Sequence, residues 1–211
     1  MKPHYPILDG LRGTAAISIV VFHLFEAYYP VPVNNPMHHG YLPVDFFYML
    51  SGFVVGYAYD DRWGRMSIWE FFKIRLVRLH PLVILGVLIG AICFWFDPYT
   101  NHVSLLKLTG VMLISFTLLP SPDLRGWGET HSLNGPCCSL LQEYIANIIY
   151  ALFGRKMSNI ILWAVVIIRG IALAVVAAWH VDLGTGWSYE SIWIAFVRVM
   201  FPFFAGCCCF V

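Results

Sequence analysis

Ile7–Pro30 reads ILDGLRGTAAISIVVFHLFEAYYP, and this stretch decides the fold. From Gly13 to Pro30 the only acid is Glu26, and there is no lysine or arginine. A run of this kind approaches the ~20 apolar residues that cross a bilayer as a helix. Arg12 stands at its entrance and His23 sits inside it. Ionisable groups are expensive in hydrocarbon, so both are candidate functional residues. On a helix their separation is a rise of ~16 Å and a net rotation of ~20°. The two therefore share one face.

The rest of the chain has the same character. Apolar residues make up 59% of the 211 and charged ones 12%, where soluble domains carry roughly 25% charged residues. Mean hydropathy is +0.71, which describes a polytopic membrane protein. The net charge of +1 points to no partner. No basic block interleaved with aromatics lies in a polar context, which argues against nucleic acid. Asp9 and Arg12 interrupt the first apolar run and no small-x-small site follows it, so the run reads as a retained span and not a cleaved signal. The six cysteines (Cys93, Cys137, Cys138, Cys207, Cys208 and Cys209) fall mostly in apolar segments and read as buried, inert thiols. Zinc-type spacing is lacking. Adjacent His38 and His39 read as an exposed loop pair, so no metal is expected.

The pattern predicts an all-α polytopic transmembrane helix bundle of about seven spans, forming one membrane-embedded domain over 1–211. The spans are Leu11–Tyr29, Tyr41–Tyr59, Leu82–Phe96, Leu105–Leu119, Ser139–Phe153, Asn159–Trp179 and a last one starting near Ile192. Pro30 and Pro32 close the first. Asp60–Pro81, DDRWGRMSIWEFFKIRLVRLHP, carries Arg62, Arg65, Lys73, Arg75 and Arg78 against Asp60, Asp61 and Glu70. Such an excess in a short connection marks the cytoplasmic side. Two spans precede it, so the N-terminus is cytoplasmic as well, which suits Lys2 and Arg12. Interleaved apolar and basic residues over Ser67–His80 predict an interfacial amphipathic helix. Tyr28, Tyr29, Tyr57, Tyr59 and Trp63 read as an interfacial aromatic belt. Strict alternation then places Arg155 and Lys156 outside, against the positive-inside tendency. Either a short segment among spans three to five is re-entrant, or the pair is an exception.

Depth arithmetic brings the first two spans together. His23 lies ~18 Å above the inner face at 1.5 Å per residue. Ser51, descending through a ~30 Å core, lies ~17 Å above it. Asp45 is nearer the outer surface, and the Gly52-x-x-x-Gly56 pair permits close helix approach.

LDGLRGTAAISIVVFH (Leu8–His23), VDFFYMLSGF (Val44–Phe53), FFKIRLVRLHP (Phe71–Pro81) and CSLLQEYIANIIY (Cys138–Tyr150) together resemble the integral-membrane acyltransferase-3 family. The shared pattern is an Arg, ten residues, then His; Asp-Phe-Phe leading to Ser-Gly-Phe; and R-x-x-R. Cys138 stands where the family pattern has Trp. The resemblance implies transfer of an acyl group, usually acetyl, from cytoplasmic acyl-CoA (acetyl-CoA) to a hydroxyl of a carbohydrate or glycolipid acceptor. Lipopolysaccharide O-antigen, peptidoglycan, exopolysaccharide and nodulation factors are acceptors of this class. It also implies a multi-pass protein of the bacterial inner membrane, in which Arg12 and His23 are essential and Arg75 and Arg78 lie at the donor side. The family has more spans than seven, so the chain is expected to be incomplete at its C-terminus, and the ending GCCCFV reads as a truncated or frameshifted product.

The chemistry of these residue types agrees. Imidazole is a suitable general base for a sugar hydroxyl, a role assigned to His23. Ser51, or a backbone N–H beside Gly52, is the candidate oxyanion donor. Glu143 or Asp45 is the candidate to orient the imidazole. Arg75 and Arg78, helix-surface neighbours at i and i+3, suit the phosphates of coenzyme A, and Arg12 suits its phosphates or pantetheine carbonyls. Two competing readings remain at this level. One is a proton-coupled transporter or flippase with His23, Glu143 and Arg198 as an intramembrane relay. The other is an inactive truncated remnant. Nothing in the sequence sets an oligomeric state.

Overall fold

Pro6 occupies the first turn of the opening helix, where its missing N–H costs no hydrogen bond. The computed structural model describes residues 5–29, 34–59, 62, 65–99, 103–180 and 183–209, except the side chain of Arg155. Lys2, Pro30, Pro32, Asp60, Asp61, Trp63, the Arg155 side chain and the final Phe210-Val211 lie outside the described residues. The described helices are α1 (Pro6–Tyr28), α2 (Leu42–Tyr59), α3 (Ile68–Phe96), α4 (Leu105–Ser115), α5 (Cys137–Leu152), α6 (Asn159–Trp179) and α7 (Ile192–Cys208). Among the described residues there is no strand, and the fold is the all-helical one expected. By length and composition α1, α2, α3 and α6 are able to cross a membrane, and α4, α5 and α7 are shorter apolar helices.

Two boundaries differ from the sequence reading. The interfacial helix and the third span are one continuous helix of 29 residues that runs through Pro81. Its start is fixed by a capping box: Glu70 N–H donates to Ser67 Oγ, and Ser67 N–H donates to the Glu70 carboxylate at 2.7 Å. Phe71 packs in one core cluster and Val83, Val87, Ala91 and Phe94 in another, so the helix is buried on both sides of Pro81. Packing on both sides offsets the hydrogen bond that proline removes.

The fourth span is the second difference. Helix α4 has 11 residues, a rise of ~16 Å against a ~30 Å core. Its C-terminal exit reaches Leu118, which has φ 62, a left-handed conformation uncommon for a non-glycine residue. Leu108, Val111 and Leu118 pack with Val83, Val87, Ala91 and Phe94, all from the second half of α3. At that length α4 is too short to cross such a core by itself.

Contacts fix the directions of the remaining helices. Tyr48 and Ser51 of α2 hydrogen-bond Ser139 and Glu143 of α5 in the same order, so α2 and α5 are parallel. Tyr150 near the end of α5 shares a core cluster with Tyr59 and Phe71. The turn Gly154–Lys156 therefore lies at the end of the bundle where α2 hands over to α3. Arg155 and Lys156 join the basic segment there, and the charge conflict disappears because α4 turns back.

Helix α7 is also parallel to α2. Asp45 meets Arg198, and further along Gly52 lies against Phe203 and Cys207. A Cβ on Gly52 would strike the Phe203 carbonyl, and one on Gly206 would strike the Met49 carbonyl. The close approach foreseen for Gly52 between the first two spans is thus made with α7 instead. Phe203, Phe204, Val199 and Tyr48 form the adjoining core. Helix α1 is held far more lightly: Ala15 is its one buried residue.

Candidate active site

Two cavities lie along α1. The first, about 330 Å³, is lined by Arg12, Arg75 and Arg78 together with Ser51 and Glu143. The second, about 520 Å³, is lined by His23, Glu26, Glu129, Gln142 and Arg198 among aromatic residues. Ile19, Val44, Tyr48, Ser139 and Leu140 line both and form a common wall. The Arg12–His23 face therefore runs from one chamber into the other.

Arg75 dominates the first chamber. It is buried to 3% exposure, and its guanidinium lies 5.8 Å from the Tyr59 ring centroid and 5.7 Å from that of Phe71. Cation–π contact of this kind returns part of the cost of desolvation. Yet Nε and Nη2 are buried without a hydrogen-bond partner. A buried cation with open donors facing a chamber fits an anionic or carbonyl-rich ligand. Arg78 is exposed one turn on, and Arg12 forms a 2.7 Å ion pair with Asp9.

Ser51 Oγ donates to Glu143 Oε1 at 2.6 Å. The hydroxyl expected to serve an oxyanion thus has its proton engaged, because an ionised carboxylate is only an acceptor. Glu143 in turn does not orient His23. Asp45 does not either: it lines neither chamber, and Arg198 holds its carboxylate at 2.7 and 3.0 Å.

In the second chamber His23 Nδ1 lies 2.6 Å from Glu26 Oε2. In the tautomer that donates to this carboxylate, Nδ1 carries the hydrogen and the Nε2 lone pair is left open to a hydroxyl. Glu26 is the hydrogen-bonding partner that sequence reasoning missed. Its signal was present, as the only acid from Gly13 to Pro30 and three residues from the histidine, the spacing of helix-surface neighbours. His23 and Ser51 open into different chambers, and no hydrogen bond joins them. Nor does a hydrogen bond join His23, Glu143 and Arg198, whose partners are Glu26, Ser51 and Asp45.

Arg198 closes one side. Beyond Asp45, it donates to the carbonyls of Leu183 at 2.9 Å and Tyr41 at 2.8 Å. The roof comes from two connections joined by a single bridge between Glu129 and Ser188. Thr130 N–H donates to the Trp187 carbonyl at 3.0 Å, and Tyr189 N–H to Gly128 at 2.9 Å. His131 braces this roof through the Leu118 carbonyl at 3.0 Å and Thr130 Oγ1 at 2.9 Å. Burial holds its imidazole below the ordinary range, only partly offset by the bond to Leu118. Burial raises the Glu129 carboxyl above its usual value, against the pull of Arg125 at 3.3 Å. Among the described residues no cluster of three His, Cys, Asp or Glu side chains has metal-binding geometry.

A family model described as an acyltransferase domain matches residues 5–210. The match places this helical membrane protein among the transferases. The chain belongs to the acyltransferase-3 family. It is 29% identical over 184 residues to Protein 2 in picA locus of Rhizobium radiobacter, covering 82% of this chain and 94% of that protein. It is 34% identical over 87 residues to O-acetyltransferase OatA of Staphylococcus aureus, covering 39% of this chain and 13% of OatA. No solved structure matches it.

Proposed function

We propose that the chain is a membrane O-acyltransferase that moves an acyl group, acetyl by analogy with OatA, from acyl-CoA to a carbohydrate hydroxyl. The observation that carries this reading is the pair of chambers sharing one wall, with arginines in one and an imidazole–carboxylate pair in the other. Arg75, Arg78 and Arg12 hold the phosphates and pantetheine of the donor. The thioester reaches the wall beside Tyr48 and Ser139, and the acceptor hydroxyl approaches from the other side. His23 Nε2 takes the hydroxyl proton as the oxygen bonds to the acyl carbon. The carbon–sulfur bond then breaks, and the thiolate leaves to be protonated as free coenzyme A. Glu26 stabilises the imidazolium and fixes its tautomer. The basic end of the bundle, with Arg65, Lys73 and Lys156, faces the cytoplasm, and the protein resides in the bacterial inner membrane with its N-terminus on that side.

Membranes carrying the chain, supplied with labelled acetyl-CoA and a glycan acceptor, test this directly. Label is expected in the glycan, and His23→Ala is expected to lower transfer by roughly 10²–10⁴-fold, the usual contribution of a general base, with the protein still present in the membrane. Unchanged transfer in that variant overturns the mechanism.

A further inference from the structure

We infer that the second chamber selects an uncharged sugar residue and rejects acidic ones, with Gln142 as the group that reads it; this rests on the acyltransferase reading above. Gln142 is fully buried, and both Nε2 and Oε1 lack a hydrogen-bond partner. An amide in that state costs free energy unless a ligand completes it. It lines the second chamber and not the first. One donor and one acceptor side by side match the hydroxyl groups of a sugar, each of which gives and takes a hydrogen bond. Trp127 and Trp187, both partly exposed at the same chamber, supply apolar walls of the kind that enclose small ligands.

The charges explain the exclusion of acids. Among the described residues the chamber carries two carboxylates, Glu26 and Glu129, and one arginine, Arg198. Every guanidinium nitrogen of Arg198 is engaged, Nε and Nη2 by Asp45, Nη2 also by the Tyr41 carbonyl, and Nη1 by that of Leu183. It has no face left for the bidentate grip that a ligand carboxylate needs. The His23 ring is committed to Glu26 on one nitrogen. A uronic acid or a sialic acid would thus bring a negative charge towards Glu26 and Glu129, while Arg125, the cation beside Glu129, lies outside the chamber lining and is bound to Glu129 and the Ser132 carbonyl. A neutral hexose or N-acetylhexosamine meets no such opposition.

Ligand-observed NMR on the purified full chain in detergent, with methyl β-glucoside and methyl β-glucuronide as probes at pH 7, tests the inference without requiring turnover. The neutral probe is expected to bind at least about tenfold more tightly than the acidic one. Gln142→Ala is expected to weaken the neutral probe by about tenfold, the loss of one or two hydrogen bonds. Glu129→Gln, nearly isosteric, is expected to narrow the preference several-fold, and it keeps the test decisive if the Gln142 variant does not fold. Equal binding of both probes, no binding of either, or a preference unmoved by Glu129→Gln overturns the inference. Selective binding without acyl transfer from labelled acetyl-CoA overturns the function proposed above and leaves the selectivity standing.

Discussion

Replacing Arg75 by methionine is expected to make the donor-free chain more stable while disabling donor binding. The guanidinium is 3% exposed, with two nitrogens unpartnered. Burying an ion without a partner costs several kcal/mol, of which stacking on Tyr59 and Phe71 returns about 1–2 kcal/mol. Methionine fills similar space, packs against the same rings and carries no charge. Unfolding free energy of Arg75→Met is therefore expected to rise by on the order of 2 kcal/mol without ligand. Coenzyme A reverses the order. Hydrogen bonds to a charged group are worth about 1.5–3 kcal/mol each, so losing those from Nε and Nη2 costs roughly 3 kcal/mol, about 100-fold in affinity. Chemical unfolding in detergent, with and without coenzyme A, measures both effects on one preparation. A variant less stable than the parent without ligand, or one stabilised by coenzyme A as fully as the parent, would refute this account of Arg75.

Two further outcomes follow from the packing. Asp45→Asn and Arg198→Met are each expected to destabilise by about 3–5 kcal/mol, the first stranding the buried Arg198 and the second the half-buried Asp45. The arginine change is the costlier because it also frees the Tyr41 and Leu183 carbonyls; Asp45→Leu with Arg198→Met together is expected to cost less than the two single changes summed, as read in the same unfolding assay. Reporter fusions placed after Lys73 and after Lys156 are expected to give the same sidedness, opposite to a fusion after Phe96; opposite signals from the first two would restore α4 as a crossing.

The helical class was legible because apolar runs of bilayer length cannot be mistaken, and the shared face of Arg12 and His23 follows from helix geometry alone. Partner choice was not. Asp45 finds Arg198 across 153 positions, and Ser51 finds Glu143 across 92, pairings that depend on α2, α5 and α7 running parallel. Local spacing carries no trace of that. The Glu26 partner of His23 was within reach, since it lies on the same helix face, but its proximity gave no indication that Glu143 and Asp45 were already engaged elsewhere. The early end of α4 was hidden for a different reason: Leu105–Leu119 carries no charge except Lys107, and composition does not distinguish a half-depth helix from a crossing one. Continuity through Pro81 was hidden by the rule that proline breaks helices, which packing on both sides of it overrides.

Ala15, the one buried residue of α1, lies between Arg12 and His23, so a tilt about it would be shared unequally between them. Three residues separate it from Arg12 and eight from His23, lever arms of ~4.5 Å and ~12 Å. A tilt of ~10° about that point carries the histidine ~2 Å and the arginine under ~1 Å, in opposite senses. Helices α2 and α7, locked backbone to backbone at Gly52 and Gly206, have no comparable freedom. Such a tilt of α1 would have its long arm at the imidazole.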